Sequence, residues 1–151
     1  MIDRQLVFKT LDDALHELVR LASAPALKIA NGWTLAQTLD HCAQSIEYSL
    51  TGFPESKSAL FQNTAGALAL KVFSWRGRMS HSLTEPIPGA PELDGNIGPA
   101  TARLRQAVQK FHGHTTALCP HFAYGELSKA AYVQAHAMHV ANHFSAFDVK
   151  A

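Results

Sequence analysis

The sequence predicts an all-α domain, a four-helix bundle with a long connection rich in proline and glycine. Three observations carry this. Apolar residues recur at helical spacing in several stretches that carry capping residues. Runs of Val, Ile and Thr with period-two alternation are absent. Seven of the sixteen Gly and Pro residues fall between Pro86 and Pro99, so the breakers are concentrated in one place.

The elements follow in order. Leu11, Leu15, Leu18, Val19 and Ala22 form an apolar stripe, with Thr10 as its N-cap. Thr34-Leu35-Ala36-Gln37 is a capping box, and Leu35, Leu39, Cys42, Ile46 and Leu50 lie on one face of the helix it opens. Gly52 and Pro54 end that helix. Ser58 to Trp75 is so apolar that burial on most sides is expected. The segment 86–99 reads as a crossover loop. Gly98-Pro99 opens the next helix, lined by Leu104, Val108 and Phe111 and ended by Gly113. Ser128 caps a last helix that reaches about Phe147. Four or five helices thus fill one domain over 1–151, a length that buries roughly 70% of its unfolded surface.

Charge and cysteine content narrow the function. Thirteen basic against twelve acidic residues give a net charge of +1, which offers no electrostatic footprint for nucleic acid or an anionic membrane. Two cysteines, Cys42 and Cys119, make neither a disulfide scaffold nor a zinc-finger pair. No apolar run approaches the roughly 20 residues of a membrane span, and the first residues lack a signal-peptide pattern. A cytoplasmic protein is the expectation.

Histidine is the anomaly, with nine copies in 151 residues. On a helical wheel Tyr132, His136, His139 and His143 fall within about 60° of one another, at the edge of the apolar stripe of Val133, Ala137, Val140 and Phe144. His139 and His143 have the i, i+4 spacing that lets two imidazoles hold one metal, and His136 lies one turn before His139. The same pattern also suits histidines that only fill polar pockets. A third ligand would complete a site with an open coordination position. His16, His41, His81, His112, His114 and His121 are the candidates. His41 is the best placed, inside the best-defined helix in a stripe with Ser45 and Tyr48.

These residues carry a resemblance. Trp33-Thr34-Leu35-Ala36-Gln37-Thr38-Leu39-Asp40-His41 resembles the W-[ST]-L-x-Q-x-L-x-H opening of a helix in DinB-like proteins. Ser45 to Pro54, His121-Phe122-Ala123-Tyr124-Gly125-Glu126-Leu127-Ser128 and His139-Val140-Ala141-Asn142-His143-Phe144-Ser145 resemble segments of one branch, the domain of unknown function 1569. The matches span about residues 33 to 147. The resemblance implies a bundle of the DinB/YfiT-like metalloenzyme superfamily, whose members bind zinc or nickel through one histidine on the second helix and an H-x-x-x-H pair on a later one. Carried over, the implied ligands are His41, His139 and His143. Several relatives act on low-molecular-weight thiols. The superfamily's frequent Arg-Gly-Asn/Gln after the last ligand is replaced here by Phe144-Ser145-Ala146. The trailing Phe144-Ser145 favours the His139/His143 register over His136/His139, leaving His136 beside the ligands or as a structural residue.

Such a site permits hydrolysis by a metal-activated water or thiol transfer through a metal-held thiolate. The substrate would be a small molecule. Tyr132, Tyr48 and His121 are further candidates near the site, the tyrosines equally suited to satisfying their hydroxyls in the core. Asp40 and Glu47 do not share the face of His41, and Glu47 reads as a solvated helix residue. Trp33 reads as a packing anchor, and Arg76, Arg78 and His81 as a solvated basic turn. The competing expectation is a non-catalytic helical module, and the apolar 58–75 stretch suggests a homodimer.

Overall fold

A computed structural model describes residues 2, 4–30 and 32–150. The protein is mostly helical, with a small two-stranded sheet. Helix α1 spans Leu11–Ala22, α2 Leu35–Thr51, α3 Ala67–Arg76, α4 Ile97–Gly113 and α5 Lys129–Phe144. A single helical turn, Ala59–Phe61, and a π-helical turn, Gln62–Gly66, lead into α3. Strands β1, Leu27–Ile29, and β2, Phe147–Val149, pair antiparallel.

The caps explain where the helices begin. Thr34 Oγ1 accepts from the Gln37 N–H, and Gln37 returns an oxygen to the Thr34 N–H. Thr10 and Asp13 form a second capping box that opens α1. Ser128 Oγ accepts from the Ala131 N–H and opens α5.

One apolar core joins α1, α2, α4 and α5, through residues such as Leu18, Leu39, Ile46, Leu104, Phe111, Tyr132 and Phe144. Burying each aliphatic or aromatic side chain of this kind stabilises the fold by roughly 1.5–3 kcal/mol. Cys42 sits in this core, fully buried, and burial pushes its thiol well up from its ordinary pKa.

Four expectations need correction. The 58–75 stretch is not buried on most sides: Leu60, Leu68, Val72 and Trp75 are exposed, Trp75 to 87%. It packs through one edge only, with Gly66 buried and Leu70 and Phe73 against Met79, Ala135 and Met138. The last helix stops at Phe144 and Phe147 starts a strand, because Ser145 turns the chain: its hydroxyl donates to the Ala141 carbonyl and accepts from the Leu6 N–H. Strands exist that periodicity did not reveal, since three residues are too few to display alternation. Helix α4 begins at Ile97 behind the N-cap Asn96, so Pro99 lies two residues inside it.

No helix among the described residues is long and apolar enough to cross a membrane.

Candidate metal centre

Helices α2 and α5 bring His41, His139 and His143 together. One ring nitrogen from each lies within 4.8 Å of those of the others. The Nε2 atoms of His41 and His139 are 3.1 Å apart. Helical periodicity places His139 and His143 on adjacent turns of one face, and α2 packs its own buried face, carrying His41, against them. His41 and His143 are almost fully buried.

Burial governs their charge. It lowers the pKa of His41 to about 4 and those of His139 and His143 well below the ordinary value, with mutual repulsion adding to the effect. All three are therefore neutral near pH 7, the form in which an imidazole lone pair can bind a metal. Three buried ring nitrogens, His41 Nδ1, His139 Nδ1 and His143 Nε2, have no hydrogen-bond partner among the described residues. Leaving a buried polar atom unpaired costs about 1–3 kcal/mol. Three neutral imidazoles, each offering one ring nitrogen to a cluster 4.8 Å across, fit a divalent metal. Tetrahedral zinc with bonds of about 2.0–2.1 Å holds ligand nitrogens roughly 3.3 Å apart, close to the His41–His139 separation.

Trp33, one residue ahead of the α2 cap, closes the cluster. Its indole lies 5.0 Å from the His41 ring and is stacked parallel to His143 at 6.2 Å. It is a packing anchor whose contacts include the candidate ligands.

His81 is the residue that sequence reasoning set aside. It comes from the irregular segment after α3, and its ring stacks 5.4 Å from His139 and lies 5.9 Å from His143. No periodicity marks it, because a loop delivers it. The neighbouring Arg78 reaches Gln5 instead.

A cavity of about 340 Å³ opens beside the cluster, with His41, His139 and His136 on its lining. Phe61, Phe73, Phe122, Tyr124, Met79 and Ile87 supply apolar walls. Glu85 is the one carboxylate, and Lys57 the one ammonium, among the described residues that line it. Pro86, Ile87 and Pro88 also contribute, so the Pro/Gly-rich connection forms part of the wall. At the far side Gly66 meets the loop after His121 so closely that a Cβ would stand 1.9 Å from the Ala123 carbonyl oxygen.

His136 stands apart from the three. Ser49 Oγ donates to the Ile46 carbonyl at 2.6 Å and accepts from His136 Nε2 at 3.1 Å, a buried bridge from α5 to α2. Burial holds its pKa down to about 3. Tyr132 stacks on His136, and its hydroxyl donates to the Cys119 carbonyl at 2.6 Å, so that oxygen is satisfied in the core. Tyr48 does not line the cavity; its ring packs on Phe53. His121 does line it.

Glu47 is not simply solvated. Arg103 of α4 grips it with two hydrogen bonds, of 2.9 and 2.7 Å, and reaches buried Asp40 at 3.4 Å. Both carboxylates of α2 are thereby committed to α4 and turned from the histidines. His16 and His112 are exposed, and His114 bonds locally at Ala117 and Thr116.

These features define a class, a helical domain that buries three neutral imidazoles beside an apolar cavity. The chain belongs to the family described as Protein of unknown function (DUF1569), whose family model matches residues 1–150. No curated protein and no solved structure matches it.

Proposed function

We propose that His41, His139 and His143 hold a divalent metal, zinc or nickel, and that the domain is a metal-dependent enzyme of the hydrolase or thiol-transferase type. In this reading α1, α2, α4 and α5 form a four-helix bundle of the DinB-like kind. The observation that carries it is the convergence of three buried, neutral imidazoles, one ring nitrogen from each within 4.8 Å of the others. Three neutral ligands would leave the metal its full charge, which draws the pKa of bound water down towards about 7 or holds a thiol as thiolate.

The chain's own residues supply the rest. The apolar walls exclude water from a small-molecule substrate, such as a low-molecular-weight thiol. Glu85 is the carboxylate available to accept a proton in the cavity. Trp33 covers the opposite side of the imidazoles. The near-neutral charge supports neither a nucleic-acid nor a membrane partner, and cytoplasmic location and homodimerisation belong to the same reading.

One observation favours a second reading, a non-catalytic module with a structural metal or none. Metal-bound histidines usually donate their other N–H to a carboxylate or carbonyl. Here the Nδ1 atoms of His41 and His139 have no acceptor among the described residues.

Elemental analysis of untagged protein purified without chelator decides first. About one zinc or nickel per chain is expected, lost in His143→Ala and kept in His136→Ala. No metal after reconstitution with zinc, nickel and manganese would overturn the metal site. Cobalt-substituted protein then separates the two readings, because a spectrum that responds to added thiol requires an open coordination position.

A further inference from the structure

His121 is oriented before any ligand arrives. Its Nδ1 accepts two backbone N–H bonds, from Ala123 at 3.1 Å and Tyr124 at 3.2 Å. A ring nitrogen that accepts hydrogen bonds carries no proton, so the neutral ring is protonated at Nε2. The ring plane is fixed as well, stacked on Tyr124 at 4.3 Å and 11° with Phe53 at 5.1 Å. The backbone is fixed by two hydrogen bonds exchanged between His121 and Gly125, and by Gln62 Nε2, which donates to the His121 and Phe122 carbonyls.

The Nε2–H is the part left free. Among the described residues it has no hydrogen-bond partner, although the side chain belongs to a residue only 9% exposed. It is also not among the buried atoms sealed from solvent. His121 lines the cavity, and this unpartnered nitrogen is the donor it has to offer a ligand there. Lys57 stands on the same wall, its backbone N–H bound to the Phe122 carbonyl at 2.8 Å. Phe61, Phe73 and Phe122 supply the surface for an apolar body.

We propose that His121 binds the ligand of this cavity by donating Nε2–H to an oxygen acceptor, and that the ligand is a small carboxylate with an aromatic-sized apolar body. The proposal stands on the cavity and does not require the metal. Burial keeps the His121 pKa at about 3, so the ring remains a neutral donor throughout the physiological range.

Benzoate is the probe, with toluene as the control that lacks an acceptor, titrated into as-purified and chelator-stripped protein by NMR. His121→Asn is the informative variant. Its amide oxygen can replace Nδ1 for the two backbone N–H groups while the Nε2–H disappears. Benzoate affinity is expected to fall about tenfold or more, the loss of a hydrogen bond to a charged group, with toluene unchanged. Should this variant fold poorly, nitrogen-15 shifts of wild-type His121 still decide. A proton on Nε2, and an Nε2 resonance that moves with benzoate, support the proposal. A proton on Nδ1, no benzoate binding to wild type, or equal binding by His121→Asn overturns it. Because the stripped protein is one arm, failure of the metal site and failure of this proposal are read separately.

Discussion

The indole of Trp33 lies parallel to the imidazole of His143, with 10° between the planes and 6.2 Å between centroids. It therefore reports on the cluster. The other tryptophan, Trp75, is exposed. In a Trp75→Phe background, nickel titration is expected to quench the remaining emission to a stoichiometric end point. His143→Ala should remove the end point. Emission indifferent to nickel would mean that the metal binds away from Trp33.

Acid should unfold the metal-free chain through its buried histidines. His121 and His136 are held near 3 in the fold, against 6.5 for an ordinary histidine. Below pH 6.5 the unfolded chain takes up protons that the folded chain refuses, so their contribution is complete above about 6.5 and is lost as pH falls towards 3. Each ring gives a slope of about 1.4 kcal/mol per pH unit across that window. Urea denaturation of chelator-stripped protein at pH 7, 6 and 5 measures it, and a flat profile would show that the rings charge without unfolding.

Arg103 is expected to matter for stability more than its partly exposed position suggests. Its loss leaves Asp40, whose side chain is 6% exposed, without a paired cation among the described residues. Arg103→Met should destabilise by about 1–3 kcal/mol, and Asp40→Asn in that background should restore part of it. Urea midpoints of the two single variants and the double variant test the coupling.

Pairing of two chains has a candidate surface. Leu68, Val72 and Trp75 recur at helical spacing on the exposed side of α3, and Leu60 is exposed in the helical turn that precedes the π turn. Light scattering is expected to give twice the 16.4 kDa chain mass, reduced to one chain by Leu68→Lys. A monomeric wild type removes the homodimer.

What the sequence disclosed follows from how each feature is encoded. The starts of α1, α2 and α5 were legible because Thr10, Thr34 and Ser128 cap locally, within three residues. The i, i+4 pair of His139 and His143 was legible for the same reason. His41 came forward through its helix and through the family resemblance, since nothing local ties it to His139, 98 positions away. His81, Glu85 and the two strands were not legible. Their placement depends on the path of irregular segments, which carry no periodicity. The 58–75 stretch misled because apolar composition gives an amount of surface and not the side that is covered. Glu47 misled because its partner Arg103 lies on another helix.

The meeting of Gly66 with the Ala123 carbonyl carries one last consequence. It makes the π turn and the 121–125 loop the two jaws of a caliper, closed on a single hydrogen atom. A methyl group at Gly66 would overlap backbone that has no rotamer to escape into, so the gauge of this cavity cannot be reset there by small steps. Drift in what the cavity admits must come through neighbours such as Ala69 or Ala135, whose side chains line the same space. The jaw itself is inherited whole or lost with the loop that carries His121.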